Sequence, residues 1–310
     1  MSLNRYHRLF LSFLLALAVG FAYGQQEEPW LRSYFGEVKA GHSPADPRVA
    51  DLPADTKRLL DRLSPYLTDT ATVVRARAYR IVWLSGRSSK MVPVRQQAVD
   101  LLMGAGRDDK GGNSGMMLEY LTSFGREDFS IGAKDSLRFL LRRKTGHIDR
   151  VAKLIGFLEM KDMREELRAL TMPGRSQTVR WAALVSLVRM NDGDATEDMM
   201  ERVRKHPVND DVVYELFPSL VYSRHPEAIA YMVEALNSDE KNCHTADAER
   251  EAAMPCGYRV MEQLAPVIDK YPVQLDESGD VKTKDYTAAL RAVREWFAKN
   301  KNYKILRDRY

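Results

Sequence analysis

The chain has 310 residues, of which 45% are hydrophobic and 29% are charged, a composition typical of a folded globular protein rather than a disordered one. Its formal net charge is +4, and two of its basic residues, Arg5 and Arg8, lie in the N-terminal apolar segment, so the remainder carries only +2. A charge that small predicts neither a nucleic-acid partner nor an anionic membrane surface.

Residues 1–24 have the layout of a secretory signal peptide. Two arginines precede an uncharged apolar run from Leu9 to Ala22, and the small residues Ala22 and Gly24 form a cleavage site before Gln25. An uncleaved membrane anchor is the alternative, but the run is shorter than the roughly 20 residues that a spanning helix needs. We therefore predict an exported protein, periplasmic or extracellular, with no transmembrane span after cleavage.

The rest of the chain has a helical pattern. Residues 25–54 contain four prolines and predict an irregular lead-in with a short helix near 31–38. From residue 55 onward, apolar residues recur at i, i+3, i+4 and i+7, with short breaks rich in Gly, Asp, Asn and Pro. This pattern predicts helices near 55–67, 74–86, 91–105, 112–124, 129–143, 147–159, 162–170, 176–190, 195–205, 210–222, 226–237, 247–269 and 284–300. Only the stretch around 276–279 departs from it, and a small hairpin or an ordered loop is expected there.

Helices this short, each apolar along one stripe, suggest a repeat in which successive helix pairs bury one another. Two copies share a Val-Arg pair with an alanine four residues after the valine: Val74, Arg75 and Ala78, then Val179, Arg180 and Ala183. The two valines lie 105 residues apart, or three steps of 35. The same step predicts helix starts near 109, 144 and 214, close to those that the apolar pattern gives.

The stretch TDTATVVRARAYRIVWLSG, residues 68–86, resembles a HEAT repeat. Asp69 stands in the inter-helix turn, and Val74, Arg75 and Ala78 match the start of the second helix. The resemblance implies that the Asp and Arg side chains pair between repeats and that the valine enters the core. Loss of Arg75 or of its counterpart in the second copy should then lower stability.

The resemblance also implies an all-α fold, an α-α superhelix of about six helix pairs over residues 55–300. The second copy has Gly174 where the Asp would stand, and a third pair, Val94-Arg95, lies only 20 residues after the first. A tetratricopeptide-like solenoid, whose period is nearly equal, and an α/α toroid remain alternatives. At the end of the first copy, Gly86 is expected to terminate the helix.

The segment 238–257 is expected to form an insertion, and it contains the only two cysteines, Cys243 and Cys256. Export favours a disulfide between them, closing a loop comparable to one for which chain entropy gives about 3 kcal/mol. His244 could supply a third metal ligand, but zinc usually uses tighter Cys spacing and three or four protein ligands. We therefore predict a disulfide and no metal.

No catalytic motif or cofactor motif stands out in the sequence. The histidines His42, His147, His206 and His225 are expected to have ordinary surface or turn roles, and no H-E-x-x-H, G-x-S-x-G or phosphate-binding loop is present. The acidic stretches 191–198 and 275–285 lack the calcium-loop spacing, so Asp194 or Thr196 is expected to cap a helix in the first.

Residues 301–310 form a basic tail, and together with the preceding helix they interleave lysines and arginines with Trp296, Phe297, Tyr303 and Tyr310. Such interleaving can bind polyanions, although a capping helix with a solvated basic end explains it equally.

We expect a non-catalytic scaffold of the cell envelope. Stacked helix pairs generate a concave face, and in HEAT-like proteins that face usually holds another protein, so an unidentified protein or peptide is the expected partner. The second helices, near 74–86, 112–124, 147–159, 176–190 and 210–222, should line this face. The alternatives are an exported carbohydrate-active enzyme on an all-α toroid, acting on a glycan through a carboxylate pair or a His/Tyr pair, and a structural envelope component.

Overall fold

The computed structural model describes residues 29–107, 109, 112–143, 146–245 and 252–310. Within these ranges the chain forms fourteen α-helices and a single two-stranded ladder, so the all-α prediction is confirmed. The predicted signal peptide lies outside the described residues. None of the described helices is long and apolar enough to cross a membrane.

The helices follow one another with short connections. They are α1 Pro29–Lys39, α2 Thr56–Leu67, α3 Thr72–Ser88, α4 Val92–Gly106, α5 Ser114–Leu121, α6 Ile131–Arg143, α7 Ile148–Phe157, α8 Arg164–Thr171, α9 Gln177–Arg189, α10 Gly193–Arg204, α11 Phe217–Ser223, α12 Pro226–Asn237, α13 Gly257–Leu264 and α14 Tyr286–Lys299. Single turns of 3-10 helix lie at Val49–Asp51, Arg126–Asp128 and Lys161–Met163. The chain divides into two compact units, residues 1–101 and 102–310, with the boundary inside α4.

In the first unit, α3 packs against both α1 and α2. Asp55 caps α2 by accepting a hydrogen bond from the Arg58 amide at 3.0 Å, and the leucines of the predicted apolar face are buried. The lead-in helix α1 buries Phe35, whose ring stacks on Tyr66 with 3.9 Å between centroids. The lead-in therefore contributes a core layer to this unit.

In the second unit, α9 contributes the largest number of buried residues among the described helices, because it packs against α7, α8, α10 and α11. Eight consecutive residues of α9, from Ala182 to Arg189, are buried. An amphipathic stripe cannot account for a helix that is buried on every side over half its length. The helices α7, α9 and α11 are those that the sequence predicted as second members of helix pairs.

Two predicted boundaries are wrong, the end of the helix at Gly86 and the extent of the helix 247–269. The helix does not end at Gly86, since α3 continues to Ser88 and Gly86 is buried within it. The predicted helix 210–222 is helical over its whole length, but its residues Val212–Leu216 form a π-helical turn. Pro218 lies at the start of α11, where it lacks the N–H that would continue an α-helical ladder backwards.

The predicted helix 247–269 is restricted to Gly257–Leu264 among the described residues. Before it, Cys243–His244 pairs antiparallel with Ala253–Met254, and Pro255 follows the ladder. Proline disfavours helix in the residue before it and donates no N–H, which explains the late helix start. The part of the insertion at 246–251 lies outside the described residues.

The turn around 276–279 is ordered by its own side chain. Asp276 accepts hydrogen bonds from the amides of Ser278 and Asp280 at 2.9 and 3.1 Å, and Gly279 lies at φ +92°. One β-bridge, between Leu275 and Val281, closes it. The expected hairpin is thus reduced to a tight turn.

Candidate functional site

The Val-Arg pairs begin helices in all three copies, and in two copies the arginine clamps the preceding turn. Arg75 donates to the main-chain oxygens of Asp69 and Thr70, six and five residues earlier, at 2.7 and 3.0 Å. Arg95 donates to the main-chain oxygens of Ser89 and Lys90, again six and five residues earlier, at 3.4 and 3.1 Å. In these copies the arginine satisfies carbonyl groups of the turn that precedes its helix.

The Asp69 side chain strengthens the first of these turns. It accepts the Ala71 amide at 2.9 Å and lies 2.6 Å from the Lys39 ammonium of α1. The hydrogen bond from Lys39 lowers the pKa of Asp69 below its usual value, against the opposing effect of burial. The ion pair of Asp69 is therefore with Lys39, and it links this turn to α1.

The second copy has a different geometry. Gly174 lies in the preceding turn at φ +93°, and Val179 is partly exposed, whereas Val74 is fully buried. Ser176 caps α9 by accepting the Val179 amide at 3.3 Å. Arg180 makes no hydrogen bond or ion pair with any described residue, and its Nε atom is buried without a partner. Arg180 therefore makes no hydrogen bond to the turn that precedes α9.

Arg180 instead lines a cavity of about 550 Å³, which we call the second-helix cavity. Its walls come from the N-terminal halves of α7 and α9, from α10 and the residue His206 after it, and from the π-helical turn before α11. The lining residues are Asp149, Lys153, Gln177, Thr178, Arg180, Trp181, Ala182, Arg202, Val203, His206, Glu215 and Leu216. Most of the lining therefore lies on helices expected to form the binding face, and α10 with His206 supplies the rest.

The cations of the cavity differ in whether they have partners. Arg202 forms a two-pronged ion pair with Asp198 at 2.7 and 2.8 Å. The Lys153 ammonium lies 5.6 Å from the centre of the Tyr222 ring. Burial lowers the pKa of Lys153, and the negative charge of Asp149, one helical turn earlier, only partly opposes that shift. Lys153 and Arg180 thus remain the two cations without a paired carboxylate.

Trp181 and His206 give the cavity its remaining character. The Trp181 indole donates to the Ser219 hydroxyl at 2.8 Å, which fixes the ring and leaves its apolar surface as a wall. His206, predicted to lie in an ordinary turn, follows α10 and reaches the cavity rim. A polar cavity with an aromatic wall and two unpaired cations can hold a polar ligand that carries a negative charge.

No family model, curated protein or solved structure matches the chain.

A second cluster, made of arginine and aromatic residues, surrounds the chain segment 304–310. The segment pairs with the chain after α13: the Asp269 amide donates to the Lys304 oxygen at 2.9 Å, and the Leu306 amide donates to the Val267 oxygen at 2.8 Å. It then passes the ends of α7, α9 and α11. The predicted basic tail is thus tied to the helices by main-chain hydrogen bonds.

Four side chains hold the end of this segment, and we call them the tail clamp: Phe157, Arg189, Tyr222 and Arg224. Arg189 is fully buried, stacks against Phe157 and Tyr222, and donates to the main-chain oxygens of Arg307 and Arg309. Burial lowers the pKa of Arg189 to about 10, so that the guanidinium stays charged at neutral pH.

The Tyr310 ring lies against the same two aromatic rings, with centroids 5.6 Å from Phe157 and 5.3 Å from Tyr222. Arg224 donates to the Tyr310 main-chain oxygen at 3.0 Å. Glu159 accepts from Arg307 at 2.7 Å and from Arg126 at 3.0 Å. These contacts give the tail clamp a role in packing the second unit.

The lysines of the tail region lie elsewhere, around a surface cavity of about 510 Å³ that we call the lysine cavity. Its lining residues are Asp269, Lys270, Trp296, Lys299, Asn300, Lys301, Asn302, Tyr303 and Lys304. Phe297 packs edge-on against Trp296 and Tyr303 at 5.1 Å in each case. The interleaved basic and aromatic residues noted in the sequence are therefore divided between an aromatic cluster and a rim of lysines.

The insertion brings its predicted cysteines together, since the sulfur atoms of Cys243 and Cys256 lie 2.07 Å apart, a bonded distance. His244 does not approach them as a metal ligand. Its Nδ1 lies 3.0 Å from Asp210, whose other oxygen is 3.3 Å from Arg259. Among the described residues, no group of three His, Cys, Asp or Glu side chains could hold a metal ion.

The sequence located the helices of the site but missed most of its side chains. Arg180 was assigned to packing, while Lys153, Trp181 and Glu215 were not singled out. Their positions on successive predicted second helices were the available signal, because those helices were expected to share a face. The cap of α10 also differs from the expected Asp194 or Thr196. It is Asp192, whose side chain accepts the Ala195 amide at 3.2 Å.

Proposed function

We propose that the chain is an exported, non-catalytic binding protein of HEAT-like type, which holds a protein or peptide along the face formed by its second helices. The observation that carries the proposal is the second-helix cavity, because most of its lining comes from α7, α9 and the turn before α11, with Arg202, Val203 and His206 completing it. The apolar leader and the bonded cysteine pair support export. The matching 35-residue step supports a repeat of helix pairs.

The partner is best sought by site-specific cross-linking. A photo-crosslinking amino acid at Thr178, which is exposed on the cavity rim, should capture an envelope protein. The matched control places the same group at Ala169, which is exposed on α8 and does not line the cavity. Equal capture at both positions, or capture at Ala169 alone, would contradict binding on this face.

The captured partner should then be purified and its affinity measured directly. Arg180→Glu and Trp181→Ala are expected to weaken binding while the helical far-ultraviolet spectrum is retained. Charge removal around the lysine cavity, at Lys299, Lys301 and Lys304, should leave the affinity unchanged. If only the lysine changes abolish binding, the site is the basic region near the end of the chain.

One observation favours a second candidate function, a carbohydrate-active enzyme. Two carboxylates, Asp149 and Glu215, line the same cavity as Trp181, and most glycoside hydrolases use a pair of carboxylates. Incubation with cell-wall oligosaccharides, followed by product analysis, tests this candidate. Turnover that is lost in both Asp149→Asn and Glu215→Gln would replace the binding proposal with catalysis.

A further inference from the structure

We propose that Arg180 and Lys153 form an anion subsite of the second-helix cavity, which binds a single carboxylate of a peptide ligand. The inference rests on the proposed function, because it assumes that the ligand of this face is a peptide or a protein segment. It adds the chemical group that the face recognises and the side chains that recognise it.

Arg180 is the first reason. Its equivalents Arg75 and Arg95 are engaged with the carbonyl groups of their own turns, whereas Arg180 has no partner among the described residues. Its buried Nε carries an N–H group that water does not reach and no acceptor satisfies. Other arginines, such as Arg189 and Arg224, also have a buried Nε without an acceptor, but their guanidinium groups donate through other nitrogens, whereas Arg180 has no acceptor at all among the described residues. Buried donors in native proteins are nearly always paired, so the Arg180 guanidinium is available to an acceptor on a ligand. A carboxylate is the acceptor that matches the planar guanidinium fork.

Lys153 is the second reason. It lines the same cavity, is partly buried beside the Tyr222 ring, and forms no ion pair with a described residue. The Asp149 carboxylate lies on the same face of α7 as Lys153, but outside ion-pair distance of the Lys153 ammonium. A buried ammonium group is costly to leave without an anion, and a ligand carboxylate would supply one.

The remaining charges limit the ligand to one negative group. Arg202 is already neutralised by Asp198, and two further carboxylates, Asp149 and Glu215, line the cavity. A polyanion such as a phosphorylated chain would meet those carboxylates, and like charges at short range disfavour binding. A single carboxylate beside an apolar group suits the two free cations and the Trp181 wall. Such a group can be an Asp or Glu side chain or the terminal carboxylate of a peptide.

Short peptides of defined charge distinguish these sources. The probes are Ac-Ala-Glu-Ala-NH2 for a side-chain carboxylate, Ac-Ala-Ala-Ala-OH for a terminal one, and Ac-Ala-Gln-Ala-NH2 as the neutral control. Each is titrated to millimolar concentration into the mature protein labelled with 15N, and the Trp181 indole N–H signal is followed. The signal is assigned by its loss in Trp181→Phe.

We expect at least one of the two acidic peptides to shift the Trp181 signal with saturation, and the neutral peptide to leave it in place. Arg180→Gln should weaken that binding about tenfold or more, as expected for loss of a charge-assisted hydrogen bond. Lys153→Gln should weaken it as well. Arg175→Gln removes the same charge from an exposed position five residues earlier and should have no effect.

Three results would overturn the subsite: no shift with either acidic peptide, equal binding of the neutral peptide, or unchanged binding in Arg180→Gln. Saturable binding of inorganic phosphate that displaces the acidic peptides and exceeds them in affinity would also overturn it, since it would indicate a phosphate site. The proposed function fails separately, through the cross-linking at Thr178, which does not depend on carboxylate recognition.

Discussion

At Gly156 two helices meet without room for a side chain. A Cβ atom built there would lie 2.6 Å from the Ser186 Cβ and 2.7 Å from the Ser186 Cα, and 2.6 Å from the Tyr222 hydroxyl. The Cα belongs to the α9 main chain and cannot rotate away. The absence of a side chain at Gly156 therefore allows α7 and α9 to pack in close contact.

We expect Gly156→Ala to destabilise the protein by about 1–3 kcal/mol, because overpacking forces α7 and α9 apart. Urea unfolding measures the change. Gly104→Ala is the matched control, since that glycine is exposed within α4 and has no atom within 4 Å of its built Cβ. The control should be neutral or stabilising by up to about 1 kcal/mol. Equal effects of the two substitutions would contradict the close approach.

Arg189 is the second residue on which the packing depends. Arg189→Met keeps much of the side-chain volume but leaves the main-chain oxygens of Arg307, Arg309 and Tyr222 without their donor. We expect a loss of roughly 3 kcal/mol or more, because buried acceptors become unsatisfied. Proteolysis should also cleave the segment 304–310 sooner.

The control for that substitution is Arg175→Met, at an exposed arginine in the turn before α9. It should leave both the urea midpoint and the cleavage rate unchanged. If Arg189→Met is as stable as the native chain, the tail clamp does not depend on this guanidinium.

At the scale of elements, we expect the attachment of segment 304–310 to the ends of α7 and α9 to depend on pH, because Glu159 holds Arg307. Burial by itself raises the pKa of Glu159, but hydrogen bonds from Arg307 and Arg126 outweigh it, so the net pKa lies below the usual value. A carboxylate with a lowered folded-state pKa stabilises the fold above its unfolded pKa. That stabilisation disappears as the pH falls through the folded-state pKa.

We therefore expect Glu159→Gln to cost about 1–3 kcal/mol at pH 7, the usual range for charge-assisted hydrogen bonds, and much less in acid. Unfolding at a series of pH values from neutral to about pH 3, below the usual carboxyl pKa, gives the comparison. Glu197→Gln, at an exposed glutamate on α10, should show no such pH dependence. A constant difference between Glu159→Gln and the native chain at all pH values would contradict this account.

The packing of segment 304–310 explains why shortening the chain is a poor test of whether the lysine cavity binds a ligand. Removing residues after Asn300 would expose Phe157, Tyr222 and the buried Arg189 together with the lysines. A loss of binding would then report unfolding as well as lost charge. Single lysine-to-glutamine changes avoid this problem, because those side chains lie on the surface.

For the whole molecule, we expect the protein recovered from an export-competent host to begin at Gln25 and to contain a bonded Cys243–Cys256 pair. Intact-mass measurement should give the mass of residues 25–310 less two hydrogen atoms. Thiol counting after unfolding without reductant should find no free thiol. A mass that includes residues 1–24 would show that the leader is retained, and two free thiols would show that the pair is not bonded in that host.

The sequence by itself determined the helical fold class, the positions of most helices, the cysteine pairing and the helices that carry the cavity. These follow from local rules: the period of apolar residues, the Gly and Pro breaks, and the presence of only two cysteines. The same rules failed where a distant contact or a backbone constraint outweighed local preference. Helix α3 continues past Gly86 because that glycine is buried within it, and the helix after Cys256 begins late because the preceding residues pair as strands.

The side chains of the candidate site were decided only by the tertiary structure. Val74-Arg75 and Val179-Arg180 are identical in sequence, yet Arg75 closes its own turn while Arg180 lines a cavity. Their surroundings differ, since Gly174 adopts a positive φ in the turn before α9, and α7, α10 and the turn before α11 enclose the start of that helix. A sequence motif specifies which side chain is present, but the helices packed around it decide whether its hydrogen-bonding groups are satisfied internally or left for a ligand.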